Sequence, residues 1–350
     1  MSDTWTPYTQ SVAFFGQSTP KSLASAFGTP LYVYNEHILR KNCRTLKALS
    51  THPTFGVNYS VKANANPSLL RIIREEGLVV DAMSPGELYI DQLAGFPPND
   101  ILYISNNNSP KELANAAVHG LTISVDSLSQ LETLGRLHPH ASCMVRVNPG
   151  IGRGHSEKVI TAGKATKFGV LPDDFPTVFQ LLEQYHLTLA GINQHIGSLF
   201  MEPDGYIAAA TFLLDFCKDL PRKLFENLKI IDFGGGFGIP YHKRAGEAPL
   251  DFALLGRQLH SLITAFADQH GYTGRFLIEP GRFVMAEACV LLGSVTAVKT
   301  NGEKRFTGTD VGFNVLMRPV LYDSYHEIET YPADTGPHSP VLQTVTGNIC

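Results

Sequence analysis

The sequence of 350 residues has few charged side chains, and neither sign of charge dominates. Charged residues make up 17% of the chain, and 28 Lys and Arg against 32 Asp and Glu give a formal net charge of −4. No block of like charge stands out, which argues against a surface for nucleic acid or for an anionic membrane. We therefore expect a small-molecule partner.

Cysteine is also scarce. The five cysteines are scattered along the chain and include no C-x-x-C pair: Cys43, Cys143, Cys217, Cys289 and Cys350. An odd set with this spacing suggests neither a disulfide framework nor a zinc knuckle. We expect reduced thiols, a cytoplasmic protein and no metal site.

Long apolar runs are missing too. No stretch approaches the roughly 18 apolar residues of a membrane span, and the N-terminus has polar and acidic residues where a signal peptide needs a basic start. Hydrophobic residues nevertheless make up 43% of the chain. This is enough to bury a large core, which excludes disorder and small disulfide-stapled scaffolds.

Short β-branched and apolar runs alternate with helical patterns over most of the chain. Eight such runs cover residues 55–63, 78–84, 101–105, 121–126, 141–148, 187–197, 228–233 and 275–280. Proline or serine often opens the intervening helical segments, as the first turn of a helix prefers. The alternation predicts an α/β fold, an eight-stranded (β/α) barrel, whose active site lies at the carboxyl ends of the strands.

After Pro280 the pattern changes to strand-like runs separated by turn residues, with no helix between them. We expect residues 36–280 to form the barrel and residues 281–350 to form an all-β domain that is truncated. Residues 1–35 are expected to be an N-terminal segment that packs with the β domain. The run LYVYN after Pro30 could belong to either domain.

Polar residues follow several of the predicted strands. Lys62 ends the first strand, where it is either a solvated lysine or an amine that forms a Schiff base. His195 and Ser198 follow the sixth strand, and the glycine-rich sequence DFGGGFG ends the seventh. Such a loop can hold a phosphate, whereas a dinucleotide fingerprint belongs early in a chain and opens a long helix.

The eighth predicted strand ends in Glu279 and Arg282. A carboxylate beside a lysine and a phosphate loop has a specific use in pyridoxal phosphate chemistry, because it keeps the pyridine nitrogen protonated. The alternative is an ion pair between Glu279 and Arg282 at the rim, which stabilises little. Four strand ends point to one cofactor, pyridoxal 5'-phosphate.

The motifs YSVKANANP, VDAMSPGE, VRVNPG, KFGV, HIGS, DFGGGFG, EPGR and RPVLY occur in that order from about residue 29 to the end. Together they resemble the fold-type III pyridoxal phosphate decarboxylases, which share an alanine-racemase-like barrel. The resemblance is strongest to the diaminopimelate decarboxylases. It implies decarboxylation of meso-2,6-diaminopimelate to L-lysine, a step of lysine biosynthesis.

The same resemblance assigns roles in cofactor binding. Lys62 would attach the cofactor covalently, His195 would stack on its ring, and Glu279 would bond the pyridine nitrogen. The phosphate would be held by Ser198, Gly235, Gly236 and Gly281. Asp81 and Arg146 match family positions near the lysine and the ring hydroxyl, although either could be a structural residue of the barrel.

Substrate choice is expected to rest on the R-P-x-L-Y element at Arg318 and Tyr322. An arginine fork suits a second carboxylate, because it binds both oxygens in a way an ammonium cannot. In the resembling enzymes the residues that match Arg282, Arg318 and Tyr322 bind this carboxylate. Arg318 could instead form a salt bridge at a domain interface, and Tyr325 and His326 receive no role.

Cys350 is the last residue, where the family continues with a Cys-Glu-Ser-x-Asp element that completes the neighbouring subunit's site. We therefore expect a homodimer with shared active sites, in which Cys350 is a candidate proton donor. Other decarboxylases of basic, modified or carrier-bound amino acids, and a non-catalytic regulator, stay open as alternatives. A racemase is less favoured because it needs a second base.

Overall fold

The computed structural model describes residues 6–150, 166–332 and 341–350. The chain divides into two compact units. The barrel unit contains His37–Ile239 and Pro249–Ala286, and the β unit contains Met1–Glu36, Pro240–Ala248 and Glu287–Cys350. The barrel sheet lies in the first of these units, and the two smaller sheets lie in the second.

The strands are β1 (Leu31–Tyr34), β2 (Phe55–Tyr59), β3 (Val79–Ala82), β4 (Ile101–Ile104), β5 (Thr122–Val125), β6 (Ser142–Arg146), β7 (Thr188–Asn193), β8 (Ile230–Asp232), β9 (Arg275–Ile278), β10 (Cys289–Leu292), β11 (Val295–Asn301), β12 (Lys304–Thr309) and β13 (Thr344–Thr346). The helices are α1 (Tyr8–Ser11), α2 (Pro20–Phe27), α3 (Glu36–Lys47), α4 (Pro67–Glu75), α5 (Pro85–Ala94), α6 (Pro110–Val118), α7 (Leu128–Leu137), α8 (Phe175–Gln184), α9 (Pro203–Lys218), α10 (Arg222–Asn227), α11 (Phe252–His270), α12 (Arg282–Met285) and α13 (Arg318–Tyr322).

Strands β2 to β9 form a closed barrel in chain order, and every neighbouring pair is parallel. The barrel closes where β9 pairs with β2, with Phe276 opposite Phe55. The eight predicted runs fall on these eight strands, so the predicted (β/α) barrel is confirmed.

The helices of the barrel begin at residues that satisfy their first backbone N–H groups. The side chains of Ser84, Ser109 and Ser127 accept hydrogen bonds from the backbone three residues later, at the starts of α5, α6 and α7. Proline occupies the first turn of α5 and α6, where its missing N–H is not needed. These caps fix the loops between strand and helix, where a barrel carries its site.

The barrel interior has an apolar layer, formed by Leu102, Ile104, Met144, Ile230 and Leu277. Alternate residues of a strand share a face. On three of these strands, the residue two positions after the apolar one is therefore on the same face, and it is polar. Arg146 follows Met144, Asp232 follows Ile230, and Glu279 follows Leu277. All three are buried. On each of these three strands the sequence thus places a polar side chain on the mouth side of an apolar one.

In the β unit, β1 pairs with β10, and β11, β12 and β13 form a three-stranded sheet. The run LYVYN therefore supplies a strand of the β unit. The long run after Pro280 gives two strands, β10 and β11, which belong to different sheets. Of the helices in the described ranges, none has the length and apolar content of a membrane span.

The expectation that no helix lies among the strands of the second domain was wrong. Arg318–Tyr322 forms the short helix α13. Pro319 lies in its first turn, where proline's fixed φ favours a helix and removes a donor that a strand would need.

Candidate active site

Lys62 lies in a short 3-10 turn, Val61–Ala63, directly after β2, and its side chain is exposed. Asp81, at the end of β3, holds this turn. Its Oδ1 accepts the Val61 N–H at 2.9 Å and its Oδ2 accepts the Ser60 hydroxyl at 2.9 Å. Complete burial raises the pKa of Asp81 to about 6, although the nearby Lys62 charge opposes this. Asp81 therefore positions the backbone that carries Lys62.

His195 follows β7 and is partly buried. Its Nδ1 accepts the Gly235 N–H at 3.2 Å. Burial lowers the pKa of His195 well below its usual value, and the Lys62 and Arg146 charges lower it further. The ring is therefore neutral near pH 7, with its proton on Nε2. Arg146 donates from Nη2 to the His195 carbonyl at 3.3 Å, which joins β6 to this loop.

The glycine loop after β8 contacts the backbone of two other strand ends. Gly234 and Gly236 have φ of +74° and +109°, which side chains other than glycine rarely adopt. A Cβ on Gly235 would overlap the Glu279 carbonyl oxygen, and one on Gly236 would lie 2.5 Å from the Gly197 carbonyl oxygen. Glycine is needed here because three loops meet without room for side chains.

Glu279 follows β9 and is buried. Burial raises its pKa well above the usual value, with the Asp232 and Asp81 charges adding to this and Lys62 and Arg146 opposing it. Among the described residues, none donates a hydrogen bond to its Oε1. This buried carboxyl oxygen is suited to accept a hydrogen bond from a ligand.

Ser198, Gly281 and Arg282 lie on loops of the same unit. Arg282 donates from Nη2 to the Ser198 hydroxyl at 3.2 Å. Gly281 precedes α12, and a Cβ there would lie 3.1 Å from the Ala63 Cβ, within the turn that carries Lys62. The barrel unit thus contains Lys62, Asp81, Arg146, His195, Ser198, Gly235, Gly236, Glu279, Gly281 and Arg282.

The other candidates belong to the β unit, namely Arg318, Tyr322 and Cys350. Arg318 lies with its guanidinium 5.5 Å from the ring centre of Tyr322 and 5.9 Å from that of Tyr241. It also donates to the Ser324 hydroxyl at 3.2 Å. Cys350 is exposed.

Sequence reasoning missed residues in both units. Asp232 is completely buried at the end of β8, and an acid closing a buried strand was a usable signal. In the β unit, His242 stacks on Tyr325 with ring centres 4.3 Å apart, and Tyr241 contacts His326 edge to face. Tyr241 and His242 directly follow a loop of the barrel, and no pattern in the sequence indicates that they belong to the β unit.

The comparisons with known proteins bear on this geometry. Residues 35–286 match the family model described as pyridoxal-dependent decarboxylase, pyridoxal binding domain. The chain belongs to the pyridoxal-dependent decarboxylase family.

Relatives resemble the chain over most of its length. A diaminopimelate decarboxylase of Methanothermobacter thermautotrophicus is 38% identical over 340 residues, which cover 96% of this chain and 78% of that protein. The Escherichia coli K12 diaminopimelate decarboxylase is 33% identical, over 94% of this chain and 77% of its own. A crystal structure of the Helicobacter pylori diaminopimelate decarboxylase complexed with L-lysine has a TM-score of 0.85 and 25% identity, covering 95% of this chain and 82% of that one.

The barrel mouth fits the cofactor that names the family. Pyridoxal phosphate needs an amine for its aldehyde, an acceptor for its ring nitrogen and backbone N–H groups for its phosphate. Lys62 presents an exposed amine, and Glu279 keeps a buried oxygen without a hydrogen-bond partner among the described residues. The glycine loop packs its backbone against the Glu279 and Gly197 carbonyl oxygens, so no side chain of its own fills the space beside these strand ends.

Proposed function

We propose that the chain decarboxylates meso-2,6-diaminopimelate to L-lysine with pyridoxal 5'-phosphate as its cofactor. The observation that carries the proposal is the buried, unpartnered Glu279 oxygen in the same barrel as the exposed Lys62 amine. Similarity to diaminopimelate decarboxylases over 94% to 96% of the chain supports the choice of substrate.

The bound cofactor supplies an electron sink that stabilises negative charge on the carbon losing its carboxylate. Lys62 holds the cofactor, and Asp81 fixes the turn that carries this lysine. Neutral His195 offers a flat ring face without repelling a protonated pyridine. Glu279 accepts the hydrogen bond of the pyridine nitrogen, which keeps that nitrogen protonated.

Phosphate binding is assigned to Ser198, Gly235, Gly236 and Gly281. Arg282 contacts the Ser198 hydroxyl, so its positive charge lies near the same loop. The Gly235 N–H already donates to His195, so Gly235 contributes mainly by its lack of a side chain. Arg146 is assigned to the ring hydroxyl of the cofactor, and its guanidinium lies 4.7 Å from the ring centre of Phe168.

Selection of the substrate is assigned to Arg318, together with Arg282 and Tyr322. The distal end of meso-diaminopimelate carries a second carboxylate, which a guanidinium can bind through two parallel hydrogen bonds. Contact of the Arg318 guanidinium with two tyrosine rings limits its rotation and so reduces the entropy lost on binding. L-lysine, the ligand in the Helicobacter pylori structure, is the product of this reaction.

We also propose a homodimer in which Cys350 of one chain serves the partner's site. A proton must replace the carboxylate that leaves, and a thiol can donate one. The β unit exposes large apolar side chains, including Val320 at 76% and Leu342 at 97% of their maximum, which suits a surface that a second chain covers. Sedimentation of the purified protein measures this assembly directly.

The test measures carbon dioxide release from meso-diaminopimelate, L-ornithine, L-lysine and L-arginine in parallel, with pyridoxal phosphate present. We expect release from meso-diaminopimelate and at most traces from the other three, because only the first has a distal carboxylate for Arg318. Lys62→Ala is the matched inactive control. Release from a different substrate, or from none, contradicts the proposal.

A further inference from the structure

Asp232 lies one side-chain layer below Glu279 in the barrel. In the register of β8 and β9, Asp232 is opposite Leu277. Glu279 is two residues beyond Leu277 and on the same face, so it is closer to the mouth. Asp232 is completely buried, and Glu279 is 6% exposed. The two acidic groups therefore share an interior that water hardly reaches.

The backbone ties these two acids to each other. The Gly234 N–H donates to Asp232 Oδ1 at 2.9 Å, and the Gly234 carbonyl accepts the Glu279 N–H at 3.0 Å. The two side chains lie on the same face of neighbouring strands, within reach of a hydrogen bond between their carboxyl groups, and Asp232 Oδ2 and Glu279 Oε1 are both buried without a hydrogen-bond partner among the described residues. Such a bond exists only when one of the two carries a proton, because a carboxylate has no hydrogen to donate.

A neighbouring strand continues this polar layer. Asn193 on β7 is opposite Asp232, and its Oδ1 accepts the Ser124 hydroxyl at 2.7 Å. Because Ser124 occupies Oδ1, the amide of Asn193 is left with donors rather than acceptors for the groups beside it. Its Nδ2 has no hydrogen-bond partner among the described residues. The Gly234 N–H occupies Asp232 Oδ1, which leaves the buried Oδ2 to carry the proton toward Glu279.

Charged groups of both signs act on this pair. The groups that change the pKa of Asp232 or of Glu279 are Asp81, Lys62, Arg146 and Arg275. Burial raises the pKa of Tyr206, and the charges of Asp232 and Glu279 in turn raise it further. Burial outweighs them. It raises the pKa of Asp232 to about 7 and that of Glu279 well above its usual value. The pair therefore holds at least one proton near neutral pH, and that proton belongs to both groups.

We propose that Asp232 is a positioning residue for Glu279, because the two carboxyl groups share one proton that Asp232 keeps when a cofactor binds. The Asp232 hydroxyl then donates to one oxygen of Glu279. The other oxygen, Oε1, stays ionised and free to accept the pyridine N–H. The role of Asp232 toward the cofactor rests on the proposed function, whereas the shared proton can be tested in the chain without cofactor.

The first experiment counts the proton in the full chain without cofactor, by urea unfolding from pH 4 to pH 8. An acid whose folded pKa is raised stabilises the fold at low pH, and this stability is lost as pH rises from about 4 through about 7, by 1.36 kcal/mol per pH unit and proton. We compare Asp232→Asn, Glu279→Gln and the double variant with the unchanged chain.

We expect each single variant to keep about one proton in the pH slope, because burial still raises the pKa of the remaining acid, and only the double variant to lose it. Asp91→Asn is the matched control. Asp91 is completely buried on α5 with a pKa raised to about 8 by burial, yet it lies outside the pair, so its effect should add to that of Asp232→Asn. Additive losses for Asp232→Asn and Glu279→Gln overturn the shared proton.

The second experiment measures the affinity of the cofactor-free protein for pyridoxal phosphate by fluorescence titration. Asparagine can still donate to Glu279, so we expect Asp232→Asn to stay within about threefold of the unchanged chain. Asp232→Leu leaves the buried Glu279 without a donor, and we expect binding to weaken by about tenfold or more, as for Glu279→Gln.

Equal weakening by Asp232→Asn and Asp232→Leu overturns the proposal, because it shows that an ionised Asp232 is required. If Asp232 acts only by holding the glycine loop, Asp232→Leu weakens binding while the losses of Asp232→Asn and Glu279→Gln in the unfolding experiment are additive, so the two experiments separate these roles. If the unchanged chain fails to bind pyridoxal phosphate, the proposed function fails while the proton count still decides the inference.

Discussion

The barrel unit and the β unit bury their strands to very different degrees. Strands β4, β8 and the last three residues of β3 and β9 are fully buried, whereas all seven residues of β11 are exposed. A closed parallel barrel has no edge, and its strands are covered by interior side chains on one face and by helices on the other. The three-stranded sheet of the β unit has neither form of cover within the described residues.

The candidate site residues follow the same division. Asp81, Asp232 and Glu279 are buried in the barrel unit, and burial raises all three pKa values. Arg318 and Tyr322 lie on a five-residue helix of the β unit and are partly or largely exposed. Proton chemistry needs a dry, fixed surrounding, whereas selection of a substrate can rest on a short surface element.

The largest effect expected in the barrel unit is that of Lys62→Ala. Without the amine, the cofactor has no covalent attachment, so its protein-bound visible absorbance should be lost completely. The measurement is a visible absorption spectrum of the cofactor-loaded chain. Borohydride reduction, dialysis and mass analysis follow, because reduction removes the visible band but makes the attachment permanent. Lys218→Ala removes a lysine from the barrel unit's surface helix α9 and should leave the spectrum unchanged.

Retention of reduced cofactor on Lys62→Ala at the level of the unchanged chain would show that another lysine carries it. Covalent attachment of the cofactor would then not depend on the buried turn that Asp81 holds in the barrel unit.

A pair of truncations compares the packing of the two units directly. Leu277 is completely buried in the apolar layer of the barrel, and Val298 on β11 is 54% exposed. We expect Leu277→Ala to lower the free energy of unfolding by about 2–5 kcal/mol, because it leaves a cavity. Val298→Ala should change it by less than about 0.5 kcal/mol.

Urea unfolding of both variants checks this prediction. A loss of about 2 kcal/mol or more for Val298→Ala would mean that β11 is covered in the intact protein. That result would support the proposed homodimer. The difference in strand burial between the two units would then hold only for a single chain.

The sequence predicts the barrel better than it predicts the β unit, for a physical reason. Strands buried on both faces appear as continuous apolar runs, and prolines and serines mark the helix starts, so the eight strands could be read directly. The split of one run into β10 and β11 depends on tertiary pairing and could not be predicted. The helix α13 has only five residues, and Pro319 is its one local signal. Asp232 closes a buried strand, which the sequence does show, but its depth relative to Glu279 follows from strand register, which no local pattern shows.

Arg318→Gln is expected to have the smallest of these effects, and it tests the β unit alone. Glutamine keeps hydrogen-bonding capacity but loses the charge and the bidentate fork, so we expect KM for meso-diaminopimelate to rise by about 10- to 100-fold. The visible spectrum of the bound cofactor should not change, since the cofactor residues belong to the barrel unit. Arg305→Gln, at an exposed arginine of β12, is the matched control and should leave KM unchanged.

If Arg318→Gln alters the spectrum or leaves KM as it was, the selection of substrate does not rest on α13. The partly buried cation between Tyr241 and Tyr322 would then serve the packing of the β unit, and its loss would appear in the free energy of unfolding instead.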